Sequence, residues 1–412
     1  MGSLNITTGA AASTVAVTGL SFQPTCVIFW WNGLTAASNG TRQTSLRGIG
    51  VAASSSSFFA QANYDEDAAA TSVCKNNYSA SYCIMQIDNT GAIVGGADLQ
   101  SFDSGGFTLE IQDAFPTDLL VSYMAIGGTD NVELGTFTPA GVAPVNQTVN
   151  NAGNFQPTIT LFFPGSQVSS GADAFTMIGA ATSSSDEHVH FSGANDGGGS
   201  GSTASYNRSG ECVATLSSLP TTTTVRAEFV SHNAGPGGFT INWLERGNAN
   251  AIQYLSIKGG NWIIGDFLSQ TDTTTAMTES GFGFTPAGAM FVSAGKAESA
   301  ADTPDTHDEW SIGAATSASS RVCQQMDSRS GNTTMFVHPA ARTDCVYIDS
   351  SPANTAYTLE GLADIQSFDS DGFTCIMDDA DAAQAFVWYI ALGNPAAAAG
   401  NTPQLMMVGV GN

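Results

Sequence analysis

The stretch Ala97-Asp98-Leu99-Gln100-Ser101-Phe102-Asp103-Ser104-Gly105-Gly106-Phe107-Thr108-Leu109 returns as Ala363 to Cys375, with ten of thirteen positions identical. Between the two lies a weaker version, Ala227-Glu228-Phe229-Val230-Ser231, followed by Gly238-Phe239-Thr240. Self-similarity at a fixed period identifies a chain built from copies of one unit. Ser104-Gly105-Gly106 and Ser370-Asp371-Gly372 carry the residues of a tight hairpin turn. The apolar residues around them alternate with polar ones, as in half-buried strands.

Other landmarks recur in the same order and at the same lag. Gly2-Ser3-Leu4 is matched by Gly135-Thr136-Phe137 and Gly265-Asp266-Phe267. Phe22-Gln23-Pro24 is matched by Phe155-Gln156-Pro157 and Phe284-Thr285-Pro286, each before an apolar run. Ile49-Gly50, Ile178-Gly179 and Ile312-Gly313 follow, and Tyr123, Tyr254 and Tyr389 end the series. The reading is three homologous domains, residues 1–131, 132–261 and 262–412, of which the second is divergent. The short apolar runs bounded by Gly, Ser, Asn and Pro read as strands. About eight strands per unit predict an all-β fold of three tandem antiparallel β-sandwiches of jelly-roll type. The junctions at 127–131 and 258–261 are too short for flexible linkers. Gln404 to Val410 stands where a fourth copy would begin. It suggests that each unit borrows the first strand of the next, with this segment closing the third.

Composition narrows the function. The 412 residues hold 36 acidic and 11 basic side chains, a net charge of −25, and only 11% of residues are charged. So few Lys and Arg make no basic face for nucleic acid. No apolar stretch is long enough for a membrane helix. Met1 opens in phase with the repeat, without the basic and apolar regions of a secretory signal. Seven cysteines are too few, and odd in number, for a disulfide scaffold. Cys74 with Cys83, and Cys323 with Cys345, stand where they could face each other, as disulfides or as small buried thiols.

The chemistry-bearing motifs are sparse. No nucleophile elbow, metalloprotease helix or phosphate-binding loop is present, so no cofactor and no catalytic residue is assigned. Asp186-Glu187-His188-Val189-His190 puts Asp186, His188 and His190 on one strand face, a candidate metal set if a further ligand arrives. A polar strand edge is the plainer reading. Asp98, Glu228 and Asp364 are repeat-equivalent and read as structural acceptors at a strand end. Asp103 and Asp369 read as Asx turns, with no clear counterpart in the second unit. The acid-rich runs 65–67, 302–309 and 378–381 read as solvated loops, and 195–202 as a Gly-rich loop without a phosphate-binding Lys. Of the pair Trp30-Trp31, Trp30 aligns with Phe163 and Val292 and reads as core. Trp31 aligns with Pro164 and Ser293, so it packs on a neighbouring domain or subunit, or offers a stacking platform for a sugar.

The tandem Phe-x-Pro units, followed by Asp-x-Gln-Ser-Phe-Asp-Ser-x-Gly-Phe-Thr and Tyr-x-Ala-[Ile/Leu]-Gly, resemble the β-rich accessory virion proteins of tailed bacteriophages. That resemblance implies a particle component made in the bacterial cytoplasm and carried on the virion surface. It implies a capsid decoration (cement) protein with the major capsid protein or other virion proteins as partners, and self-association as a further contact. The alternative is a tail fibre or adhesin that recognises host glycan through loop tips and Trp31. A carbohydrate-active enzyme is the least favoured class. The resemblance carries no functional residue.

Overall fold

A computed structural model describes residues 1–393 except 42, 70, 166–172, 198–202, 219–221, 248–249, 301–306, 330–335 and 352–356. The described residues form thirty strands, ten per unit, and no helix. Unit 1 comprises β1 (Gly2–Ile6), β2 (Thr14–Val17), β3 (Pro24–Trp31), β4 (Gly48–Ser54), β5 (Ser57–Asp65), β6 (Cys74–Ser79), β7 (Ile84–Ile87), β8 (Ile93–Asp103), β9 (Gly106–Asp113) and β10 (Leu119–Gly127). Unit 2 repeats them as β11 (Asn131–Phe137), β12 (Val145–Val149), β13 (Ile159–Pro164), β14 (Ala174–Ser183), β15 (Asp186–Ala194), β16 (Thr203–Ser209), β17 (Val213–Ser218), β18 (Thr222–His232), β19 (Phe239–Arg246) and β20 (Ile252–Lys258). Unit 3 has β21 (Asn261–Leu268), β22 (Met277–Ser280), β23 (Pro286–Ser293), β24 (His307–Ser317), β25 (Ser320–Arg329), β26 (Val337–Arg342), β27 (Tyr347–Ser351), β28 (Thr358–Asp369), β29 (Gly372–Asp379) and β30 (Phe386–Gly393).

Each unit is a sandwich of a six-stranded and a four-stranded antiparallel sheet, with identical topology. In unit 1 the orders are β1-β10-β3-β4-β5-β6 and β2-β9-β8-β7. The outer pairs β1 with β10 and β2 with β9 nest as in a jelly roll, and the strands between them run as meanders. Ten strands, not eight, arise because short runs such as Cys74–Ser79 carry little apolar signal. Strand borrowing does not occur among the described residues: β1 pairs with β10, β11 with β20 and β21 with β30, so each unit closes on its own first strand. Residues 403–412 lie outside the described residues.

The landmarks are the packing centre of the sandwich. Phe107 meets Phe29 and Tyr123 edge-on, with ring centroids 5.7 and 5.2 Å away. Phe239 repeats this against Phe162 and Tyr254, at 5.3 and 5.2 Å. Phe373 does so against Phe291 and Tyr389, at 5.4 and 4.8 Å. Edge-to-face contact places ring hydrogens on the negative face of the partner, which stabilises beyond the area buried. The landmark glycines make room for the second layer. A Cβ at Gly50, Gly179 or Gly313 would run into the carbonyl of Cys83, Cys212 or Val346.

The outward faces of the six-stranded sheets are apolar as well, and the three units bury them against one another in a ring. β5 and β6 pack on β14, β15 and β16 on β24, and β25 on β1 and β10. One apolar cluster therefore joins all three units, including Trp30, Ile49, Val51, Phe163, Ile178, Trp310, Ile312 and Trp388. Each junction is also bonded. Asn63 donates to the Thr176 hydroxyl at 3.1 Å and accepts from the Phe175 N–H at 2.9 Å. The Asn207 amide donates to the Phe386 carbonyl at 2.8 Å. Asn32 donates to the carbonyls of Gln325 and Ala340, at 3.0 and 2.7 Å. The molecule is thus a pseudo-trimer with the like sheet of each unit turned inward.

Candidate functional site

Trp30 is core as expected, and Trp31, expected outside the core, is buried in it as well. Side chains alternate along a strand, and Phe29 faces the inside of sandwich 1, so Trp31 faces inside with it. Its ring covers Gly48, where a Cβ would strike it. Trp31 is 0% exposed and offers no surface to a sugar. Trp30 faces the shared core, as its counterpart Phe163 does where it meets Phe59 of unit 1 at 5.5 Å. Repeat symmetry had marked Trp31 as foreign to the core because its counterparts are Pro164 and Ser293. In unit 1 that end of the sandwich holds an indole instead.

The proposed metal set does not assemble. Asp186 lies exposed at the β14–β15 turn and accepts from the Ser183 hydroxyl at 2.6 Å. His188 stacks on Trp388 and Phe386, each 5.8 Å away, and its Nε2 lies 2.9 Å from the Asp266 carboxylate of unit 3. His190 is wholly buried, and burial with the nearby Arg47 charge lowers its pKa to about 3, so the ring is neutral. No group of three His, Cys, Asp or Glu side chains suited to a metal exists among the described residues. β15 is not a polar edge either: it lies between β14 and β16, with its histidine face against unit 3.

The acid runs read as solvated loops contain some of the most buried charges in the molecule. Arg47 is 0% exposed and forks onto Asp308 of unit 3, at 2.7 and 2.6 Å, with Asp65 at 3.4 Å. Burial opposes the Arg47 charge, but Asp308 and Asp65 outweigh it and raise its pKa. Burial pushes Asp65 up to about 6, against the pull of Arg47. Glu309 is buried beside Asp349, and the two carboxyls are hydrogen-bonded. Burial and the neighbouring carboxyls hold Glu309 well above the usual range and lift Asp349 to about 7. Two hydrogen-bonded carboxyls have the chemistry of an acid pair, but at 2% and 5% exposure they are closed off from solvent. Asp381 accepts from the hydroxyls of Ser269 and Tyr347, at 2.5 and 3.0 Å.

Of the repeated acids, Asp98 and Asp364 accept a backbone N–H as expected, but the place of all three and their other partners differ. Asp98, Glu228 and Asp364 sit within β8, β18 and β28 rather than at strand ends. They take side-chain partners: Gln112 at 3.1 Å, Asn242 at 3.5 Å and Arg321 at 2.9 Å. Asp103 and Asp369 are hairpin clamps, not Asx turns. Asp103 accepts from Ser101 and Thr108, both at 2.8 Å, and Asp369 from Ser367 and Thr374, at 2.8 and 2.9 Å. The second unit does keep the device: Asn233 joins Ser231 and Thr240, at 3.1 and 3.2 Å. A two-residue insertion, Ala234 to Gly238 against Ser104 to Gly106, hid that match in the sequence. All seven cysteines are buried free thiols. The run 195–202 is described only as far as Gly197. Asp196 in it binds the Cys74 N–H at 3.1 Å and pairs with Lys75.

One open hollow, of about 1010 Å³, lies at an end of unit 2. Its walls are the 153–158 loop, the β14–β15 turn, the β18–β19 turn and the two inter-unit junctions. The first wall is braced: Glu133 accepts the N–H groups of Ala152 and Gly153, both at 2.9 Å, and Asn151 bonds Phe155 in both directions, at 2.6 and 3.0 Å. His232 lines the hollow where units 1 and 3 have Phe102 and Phe368, an equivalence given by the strand registers. Its Nε2 meets the Thr160 hydroxyl at 3.1 Å, and burial lowers its pKa to about 4.

The chain matches no protein-family model and no characterised protein sequence. Its chemistry must be read from its own residues. Among those described, the buried Arg47–Asp308 pair joins units 1 and 3, and the hollow of unit 2 is lined by hydroxyl, amide and imidazole groups. The hollow had no signal in the sequence beyond the divergence of the second unit.

Proposed function

We propose that this chain is a non-enzymatic structural protein of a bacteriophage virion, a capsid decoration protein that clamps neighbouring shell subunits. The observation that carries this reading is the closed ring of three homologous units in one chain. Such a ring offers the same loop ends three times around one pseudo-axis, which suits a local threefold position on a shell. Three like contacts on one rigid body reinforce each other, because each bound unit raises the effective concentration of the next. The acidic excess supports an exterior place, since it repels packaged nucleic acid. Seven buried free thiols suit a chain that folds in a reducing cytoplasm before joining the particle.

The test is particle imaging with and without the protein. Many copies at threefold positions, and heads that rupture at lower temperature or low salt when it is missing, are the expected results. Adding back purified protein should restore resistance. Particles that lack it yet keep sound heads and adsorb poorly would replace this reading with the adhesin.

A further inference from the structure

We propose that the hollow at the end of unit 2 is a binding site for a neutral saccharide. The idea is independent of capsid binding, because it concerns one unit and not the threefold ring.

The first observation is that the hollow belongs to the unit whose sequence departs from its siblings, and that the departures surround it. The β18–β19 turn is two residues longer than the equivalent turns of units 1 and 3. The loop from Val149 to Phe155 is one residue longer than Val17 to Phe22. Between these lengthened walls the phenyl ring of Phe102 and Phe368 gives way to the imidazole of His232. A sandwich that needed only to fold had an adequate solution in Phe, used in both other copies. His232 is held by contacts that set its orientation: Thr160, the backbone of Thr182, and Phe229 edge-on at 4.6 Å.

The second observation is preorganisation. The Gln156 amide donates to the His232 carbonyl at 3.1 Å, which ties the loop wall to the turn wall. Thr158 donates to the carbonyls of Ile257 and Gly259, at 3.1 and 2.9 Å, and ties the same loop to the junction. Asn154 sits in the left-handed region at φ +51°, a turn conformation that Asn tolerates better than most residues. A braced wall gives up little entropy when a ligand arrives.

The third observation sets the ligand class. The lining is dominated by amide and hydroxyl side chains, with Asp130 and Lys258 as one charge of each sign. His232 is neutral at physiological pH, so nothing selects an ion. Val230, 38% exposed, gives a small apolar surface of the kind that covers the C–H face of a sugar ring. A volume near 1010 Å³ is at the upper end for small-ligand sites, and accommodates two or three sugar rings.

The test is titration of the full chain with neutral hexose and N-acetylhexosamine oligosaccharides. Isothermal calorimetry reads affinity, and amide chemical shifts read location. At least one probe should bind saturably and move the amides of Asn154, Gln156 and Ser231. His232→Phe restores the side chain of the sibling units and should weaken binding at least tenfold while leaving the melting temperature in place. Val230→Arg blocks the mouth from an already exposed position and should do the same should His232→Phe disturb the fold. Binding unchanged in Val230→Arg, no binding across the panel, or stronger binding of inorganic phosphate at the same amides would each overturn the proposal.

Discussion

At the residue scale, charge in this molecule serves placement. Arg47 stands where unit 2 has Thr176 and unit 3 has Trp310, so the three positions facing the shared core are filled by a cation, a hydroxyl and an indole. A buried guanidinium between two carboxylates ties unit 1 to unit 3. Its net contribution to stability is small, but removing one partner strands the others. Arg47→Met should therefore cost about 3–5 kcal/mol, as read by urea denaturation. The double variant Arg47→Met, Asp308→Leu should recover part of that loss. Equal or greater loss in the double variant would refute the idea that stranded carboxylates are the cause. Arg47→Lys should fall between, because an ammonium cannot make the two-pronged contact. None of this was legible in the sequence. A lone Arg and an acid-rich run look like solvated surface until the fold brings residues 47 and 308 together.

At the scale of the element, the sequence is legible wherever a landmark has a steric cause. The repeated Ile-Gly pairs mark the unit. The structure gives the reason: β4, β14 and β24 each pass a carbonyl of the opposing layer at that glycine. Gly179→Ala should force the layers apart and cost about 1–3 kcal/mol, the usual penalty for overpacking. Gly235→Ala is the control, since nothing lies within 4 Å of a Cβ there, and its urea midpoint should stay near that of the native chain. A loss of similar size at both positions would mean that the carbonyl contact does not explain the landmark, since the lower entropy of the unfolded chain would by itself stabilise an alanine variant. Strand facing is less legible. Alternation tells which residues share a face, but not which face turns toward the layer partner and which toward the next unit. Both faces of the six-stranded sheets are apolar, so Trp30 and Trp31 carry no local sign of their destinations.

At the scale of the whole molecule, the acidic composition acquires a second meaning. Part of the acid is interior, and its protonation is coupled to folding. Asp65 and Asp364 are raised to about 6, Asp349 to about 7 and Glu187 to about 8, each chiefly by burial. For a carboxyl raised in the folded state, the folded chain binds the proton more tightly than the unfolded chain. The stabilisation is then complete below the ordinary carboxyl range and is lost as pH climbs through 6 to 8. Asp344, paired with Arg342, and Asp88, bonded to Thr90, are held below their ordinary range and act in reverse, losing stabilisation as pH falls. The raised groups are the more deeply buried, so they set the balance, and the optimum should lie near pH 5. Easing of the −25 net charge by acid works in the same direction. Scanning calorimetry should find melting at pH 5 above that at pH 8 by about 5 °C or more, as a few kcal/mol would give. Asp349→Asn keeps a hydrogen-bonding partner for Glu309 without a second ionisation, so it should raise the melting point at pH 8 and leave pH 5 nearly unchanged. A melting point that rises from pH 5 to pH 8 would show that the interior carboxyls are accommodated as anions, and the coupling of buried acid to stability would then be wrong.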